Sequence, residues 1–245
     1  MAATLNNYRL NYKPMGEKAI LVEWPERIDE TVLEDVLRFR HIIREKYGNA
    51  CELVPAYHSL LVIFRKLSDT DKEIKILRSL YPERKHKSLK RRLWYIPVCY
   101  EAGFGLDTDT LIAEKGLTAQ TLISLHTGVE YTVYAIGFLP GFMYLGGLDP
   151  RLYAPRREEP RLKVPKGAVG IGGKQTGIYP QESPGGWNII GNSPIPLFDV
   201  SAKKPCRIRV GDKVKFFPVR KAEYDLIAIE TATGVYKIKK EEWHD

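Results

Sequence analysis

The stretch from Gly137 to Asp199 constrains this chain most. It holds twelve of the twenty glycines and nine of the sixteen prolines. Aromatic and aliphatic residues nevertheless run through it, as in Gly137–Gly147 (GFLPGFMYLGG) and Ser183–Leu197 (SPGGWNIIGNSPIPL). A disordered segment lacks such residues because it has no core to bury. The composition therefore predicts ordered loops and short strands. Glycines there supply positive φ and close backbone approach, and prolines fix φ. A β-barrel-like domain is the architecture that uses such a stretch.

The first 80 residues read differently. Ala19–Trp24 (AILVEW) and Ser59–Phe64 (SLLVIF) are short apolar runs rich in β-formers. Between them Val32, Val36, Phe39, Ile43 and Tyr47 recur on one helical face, with Asp29 as N-cap and Gly48 as stop. A second helix is predicted over Ser68–Tyr81, ended by Pro82. Strands alternating with helices in so short a span predict a small sandwich. Glu83–Arg92 (ERKHKSLKRR) carries six lysines and arginines and reads as a linker. The fold class is then α+β. A small N-terminal α/β sandwich domain covers residues 1–85, a basic linker 86–92, and a barrel domain 93–245. In the second domain, strands are predicted at Leu93–Tyr100, Tyr131–Phe138, Arg207–Val210, Lys213–Val219 and Tyr224–Ile229. A short helix capped by Thr118 carries Leu122 and Ile123 inward.

Composition excludes several classes. No apolar run reaches the roughly 18 residues of a membrane helix, and Met1–Leu10 lacks the basic segment and apolar core of a signal peptide. A cytoplasmic protein with no membrane partner is expected. Cys51, Cys99 and Cys206 are odd in number and far apart, which argues against a disulfide framework. No Cys-x-x-Cys or His-x-x-x-His spacing points to a metal site. The net charge of +8 favours anionic partners. Nucleic acid is not expected, because no aromatic residue interleaves the basic run as a base-stacking surface requires.

Gly167–Thr176 (GAVGIGGKQT) is the nearest approach to a phosphate loop. It departs from the Walker pattern at Ala168, where glycine is needed, and at Gln175, where Ser or Thr is needed. Two readings remain open. Backbone N–H groups around Gly170, Gly172 and Gly173 face an anion with Lys174 adding charge, or the segment is a tight β-turn. His126 is a general-base candidate by type and, on spacing alone, more often a packing residue near a helix end. Arg151, Arg156, Arg157, Arg161 and Lys163 form a dense basic cluster suited to carboxylates or phosphates. The same cluster also suits a salt-bridged loop or an interface with a partner protein.

The residues carry a further signal. Leu148–Pro165 (LDPRLYAPRREEPRLKVP), Gly167–Pro180 (GAVGIGGKQTGIYP) and Ser183–Asp199 (SPGGWNIIGNSPIPLFD) follow the GFLPGFMYLGG motif. Upstream stand Val54–Tyr57 (VPAY), Tyr95–Tyr100 (YIPVCY) and the His126-Thr127 pair. From about Tyr8 to Phe217 this series resembles the family containing the 5-oxoprolinase B component (PxpB), the sporulation kinase inhibitor KipI and allophanate hydrolase subunit 1.

The resemblance implies a C-terminal cyclophilin-like β-barrel and two partners. One is a larger KipA-like protein (the C component of 5-oxoprolinase), the other a LamB/YcsF-like protein (its A component). Together they would open the lactam of 5-oxo-L-proline to L-glutamate with ATP hydrolysis, ATP being a cofactor of the assembled complex. An unstrained amide is a poor electrophile, and phosphorylating its oxygen creates a leaving group. The transferring phosphate then needs cationic and N–H stabilisation. His126, Lys174 and Gln175 are the catalytic candidates so implied. Lys163, Gly170, Gly172, Gly173, Thr176, Tyr179 and Ser183 are the candidates for substrate or anion binding. The alternative that the family offers is a KipI-like inhibitor of a sensor histidine kinase.

Overall fold

The computed structural model describes residues 7–83 and 89–243. These fall into two compact units, divided between Lys90 and Arg91.

The first unit is a four-stranded antiparallel sheet with two helices. Strands β1 (Asn11–Met15) and β2 (Ala19–Glu23) lead into α1 (Glu30–Tyr47). Strands β3 (Cys51–Ala56) and β4 (Ser59–Phe64) then lead into α2 (Thr70–Leu80). The strand order is β1-β2-β4-β3. In β4 the alternation buries Leu60, Val62 and Phe64, one face of a period-two strand. Val32, Val36, Phe39 and Ile43 of α1 and Leu77 and Leu80 of α2 join them in one apolar cluster. Asp29 caps α1 as its sequence predicts, accepting from the N–H groups of Thr31 and Val32, and Gly48 ends the helix at φ +52°.

The second unit contains β5 (Arg91–Cys99), α3 (Thr108–Lys115), α4 (Ala119–Thr127), β6 (Tyr131–Ile136), β7 (Met143–Gly146) and β8 (Arg161–Val164). After these come β9 (Ala168–Gly172), β10 (Gln175–Ile178), β11 (Ser183–Gly185), β12 (Asn188–Asn192), β13 (Lys213–Val219), α5 (Lys221–Ala232) and β14 (Lys240–Trp243). Seven strands run in the order β12-β9-β10-β7-β6-β13-β5, and β5 returns to β12 through Cys99 and Asn192. The sheet is a closed barrel, with β14 added along the start of β5. The expected α+β architecture with a C-terminal barrel is the observed one. Closure leaves the seven barrel strands without a long free edge. The short β8–β11 ribbon stands apart from the barrel sheet.

Several expectations need correction. Tyr224–Ile229 lies in helix α5, not in a strand. Its apolar residues are too continuous for the period to decide. Lys221 and Asp225 pair at i,i+4, and Ala222, Glu223, Leu226 and Ala228 are good helix formers. Arg207–Val210 forms no strand, because the Asp212 carboxylate accepts from the Arg209 N–H and holds a turn there. Strand β6 stops at Ile136 rather than Phe138, since Phe138 takes φ +68°. Arg91 and Arg92, assigned to the linker by charge, begin β5 and pair with Trp243 and Glu242. The remainder of the expected linker, apart from Leu89 and Lys90, lies outside the described residues. Helix α3 carries no strong period, with Leu111 its one buried residue. Cys51, Cys99 and Cys206 are free thiols.

Candidate functional site

The glycines of Gly167–Gly177 act first as a packing device. Gly170 and Gly172 stand in β9, opposite Gly177 and Gln175 of β10. A Cβ on Gly172 would lie 2.6 Å from the Trp187 indole, and one on Gly177 would lie 3.0 Å from it. A Cβ on Gly170 would come within 3.1 Å of the Trp187 Cβ. The bare strands thus form a flat seat for Trp187, close backbone approach being what a strand glycine permits. Gly173 (φ +65°) makes the β9–β10 turn, and its N–H donates to the Ala154 carbonyl at 2.7 Å. Strand β9, the Gly173 turn and strand β10 thus form a tight hairpin.

On that seat an aromatic group assembles. Phe142 meets Trp187 edge-on at 5.3 Å between ring centroids, Tyr179 at 5.2 Å and Tyr144 at 5.0 Å. Edge-to-face contacts of this kind are each worth about 0.5–1.5 kcal/mol beyond burial. Phe142, Tyr179 and Trp187 belong to a small apolar cluster of their own beside the barrel core. Together with Phe138, Leu139, Arg156, Pro160, Ser183, Pro184, Gly185 and Gly186 these four aromatics line a cleft of about 370 Å³. Phe138 is 64% exposed, sits in a conformation that a bulky residue rarely adopts, and packs edge-on against Phe142 at 5.7 Å. Outliers of this kind cluster at ligand clamps.

One buried carboxylate organises the basic cluster beside the cleft. Asp107 accepts from Arg157 Nη1 (2.8 Å), from Arg161 Nη1 (2.8 Å) and Nη2 (2.6 Å), and from the Ile189 N–H (2.7 Å). Arg151 pairs with Asp149, whose carboxyl is held down to about 2 by its hydrogen bonds from Arg151. Arg156 has no carboxylate partner among the described residues. It faces the cleft beside Tyr179. Burial pushes the Tyr179 hydroxyl up, while a backbone hydrogen bond with Trp187 and the Arg156 charge oppose that shift.

The sequence-derived candidates do not converge on one point. Tyr179 and Ser183 line the cleft. Lys163 lies on β8, exposed and 3.9 Å from Glu182, and does not line the cleft. Lys174 projects from the β9–β10 turn toward the Tyr153 ring, 5.9 Å away. It stands five residues before Tyr179, roughly 16 Å along an extended chain, and neither it nor Gln175 lines the cleft.

His126 and Thr176 are in the barrel interior, both 0% exposed. The Thr176 hydroxyl donates its one proton to the Gly170 carbonyl (2.9 Å). His126 Nε2 must therefore carry the hydrogen that bridges to Thr176 (2.9 Å), and Nδ1 accepts from the Tyr100 hydroxyl (2.7 Å). The ring stacks on Phe216 at 4.7 Å, and burial drives its pKa down to about 3. The imidazole is neutral, with both nitrogens satisfied, and it ties α4 to the underside of the glycine seat.

Sequence reasoning missed Phe142, Tyr144 and Trp187 as site residues, and Asp107 altogether. The signal for Trp187 was present as Gly-Gly-Trp following a Gly-x-Gly strand, a pattern in which bare backbone invites a large ring. Among the described residues no group of histidines, cysteines and carboxylates is arranged to hold a metal. No helix there is long and apolar enough to cross a membrane.

Comparison with known proteins bears on this barrel and its cleft. Residues 10–208 match the family described as carboxyltransferase domain, subdomain C and D. The chain is 34% identical over 229 residues to the B component of 5-oxoprolinase from Bacillus subtilis, covering 88% of this chain and 95% of that one. It is 37% identical over 205 residues to the component of the same name in Escherichia coli O157:H7, covering 83% and 94%. The chain belongs to the 5-oxoprolinase B-component family. The crystal structure of TTHA0988 superposes with a TM-score of 0.72 at 32% identity, over 83% of this chain. This chain spans only 40% of the length of TTHA0988. The matched stretch of the carboxyltransferase family takes in the glycine seat, the aromatic group and all the residues that line the cleft.

Proposed function

We propose that this chain is the B component of an ATP-dependent 5-oxoprolinase and that its cleft is a working surface of that enzyme. It acts with a larger KipA-like C component and a LamB/YcsF-like A component to convert 5-oxo-L-proline to L-glutamate. The observation that carries this reading is identity of 34% and 37% over nearly the full length of relatives that bear that name. The cleft adds chemistry that suits the role, an apolar aromatic pocket with few polar groups, as small-molecule sites have. ATP is assigned to the assembled complex rather than to this chain. The two compact units are taken as two domains, and the protein as cytoplasmic.

Within this reading Tyr179 and Ser183 meet the ligand directly. Lys163, exposed on β8, is available to an anion, and Lys174 and Gln175 at the β9–β10 turn to a partner protein. Gly170, Gly172, Gly173 and Thr176 shape the seat. His126 is a positioning residue, because a fully buried neutral imidazole reaches no substrate. The test is 5-oxoproline-dependent phosphate release from ATP by the KipA-like and LamB/YcsF-like proteins, with this chain added or omitted. Release that requires the chain supports the assignment. Equal release without it refutes the assignment, and inhibition of a sensor histidine kinase by the chain would then identify a KipI-like regulator.

A further inference from the structure

Three of the four arginines between residues 151 and 161 are neutralised where they stand. Arg151 pairs with Asp149 at 2.8 Å, and Arg157 and Arg161 share Asp107 at 2.8 and 2.6 Å. Arg156 sits among them with no carboxylate of its own among the described residues, and it is the cation that lines the cleft. Protein charge has been supplied to every arginine of the cluster except the one that faces the pocket.

The rest of the lining is apolar. Phe138, Phe142, Tyr144, Tyr179 and Trp187 present rings, and Leu139, Pro160 and Pro184 complete the apolar lining. The polar groups are few: the hydroxyls of Tyr144, Tyr179 and Ser183, the Trp187 indole N–H and the backbone at Gly185 and Gly186. Burial keeps the Tyr179 phenol protonated, so it is a neutral hydrogen-bonding group. The cavity of about 370 Å³ is at the small end for ligand pockets. A site with one guanidinium that has no carboxylate of its own, a ring-rich lining and three hydroxyls suits a small, compact ring that carries one negative charge. A guanidinium fork suits a carboxylate in particular, two parallel N–H donors meeting its two oxygens.

We propose that this cleft binds the substrate itself as a small cyclic carboxylate. The carboxylate of 5-oxoproline lies on Arg156, its ring lies against Trp187 and Phe142, and its lactam amide faces Tyr179 and Ser183. This assignment rests on the 5-oxoprolinase reading above for the identity of the ligand. The lining alone points to the class, a small ring with one negative charge. Phe138, held at φ +68° at the mouth, supplies the outer ring of the clamp.

The experiment is a titration of the full chain with 5-oxoproline, followed by calorimetry and by tryptophan fluorescence. The same titration is run with the uncharged amide of 5-oxoproline and with ATP. Saturable binding of 5-oxoproline is expected, with the amide weaker by ten-fold or more, since loss of a charge-assisted bidentate contact costs at least that factor. Arg156→Gln should weaken 5-oxoproline to the level of its amide, and Arg151→Gln should bind as the wild type does. Equal affinity for acid and amide would overturn the proposal, as would unchanged affinity in Arg156→Gln. The acid–amide comparison needs no variant and so survives any folding defect. No binding of 5-oxoproline to the chain, or its displacement by ATP, would also overturn it. Neither result would touch the reading of the chain as part of a 5-oxoprolinase, which is tested separately by omitting the chain from the assembled enzyme.

Discussion

Acid should destabilise the barrel unit well above the pH at which carboxylates titrate, and His126 is the reason. Its ring is fully buried between Tyr100, Tyr131, Thr176 and Phe216, and the two phenols facing it are themselves held neutral by burial. Desolvation lowers the folded pKa to about 3 from an ordinary 6.5. Folding thus keeps His126 unprotonated, and the unfolded chain binds the extra proton. The stability this confers is complete above about pH 6.5 and is lost as pH falls toward about 3. With these limits the loss between pH 7.5 and pH 5 is about 2 kcal/mol, and the whole effect is on the order of 4–5 kcal/mol. For a protein of this size, 2 kcal/mol corresponds to a fall of about 4–8 °C in Tm. The carboxyls of Asp29, Asp149, Asp199 and Glu241 are held below their usual range and do not respond in that window. Urea unfolding at pH 7.5, 6 and 5, followed by barrel tryptophan emission, measures the slope. His126→Gln, which keeps an amide N–H for Thr176, should be less stable at pH 7.5 but should lack the slope. An unchanged slope in the variant, or a flat wild-type profile down to pH 5, would refute the reasoning.

Other consequences follow from the same contacts. Asp107→Ala leaves two guanidiniums and the Ile189 N–H without their acceptor, and breaking such a pair should cost about 3 kcal/mol and lower Tm by about 6–12 °C in a melt. Gly172→Ala places a Cβ 2.6 Å from the Trp187 ring. It should cost about 1–3 kcal/mol and shift tryptophan emission as the indole leaves its seat, whereas a variant with wild-type emission and stability would show that the seat is not tight. Phe138→Gly relieves an αL phenylalanine, so it should leave stability unchanged or raise it by about 1 kcal/mol, about 2–4 °C in Tm, while weakening ligand binding to the cleft.

Much of the fold was legible because periodicity and caps are local. Val32, Val36, Phe39 and Ile43 mark α1, and Asp29 and Gly48 mark its ends, without reference to the rest of the chain. Helix α5 was not legible, since in Tyr224–Ile229 apolar residues follow one another too closely for a period of two or 3.6 to be told apart. The barrel was readable in outline from its glycines and prolines. Its closure was not, because β13 pairs in parallel with β5 across more than a hundred residues. The site shows the same division. Tyr179 and Ser183 stood out within the family motif and line the cleft. Asp107 looked ordinary, as its importance lies wholly in bringing Arg157, Arg161 and Ile189 together from distant positions. The Gly170–Lys174 segment reads either as an anion loop or as a tight turn, because glycine near lysine is ambiguous in sequence. In the fold the missing Cβ atoms serve Trp187.

The most direct test of the central claim is the KM for 5-oxoproline of the assembled enzyme, measured with this chain as wild type, Arg156→Gln and Arg151→Gln. If the cleft is where this chain meets substrate, Arg156→Gln raises KM by ten-fold or more while Arg151→Gln, changed at a paired arginine of the same cluster, leaves it unaltered. Equal KM values for all three chains would contradict the account and move the substrate site off this cleft.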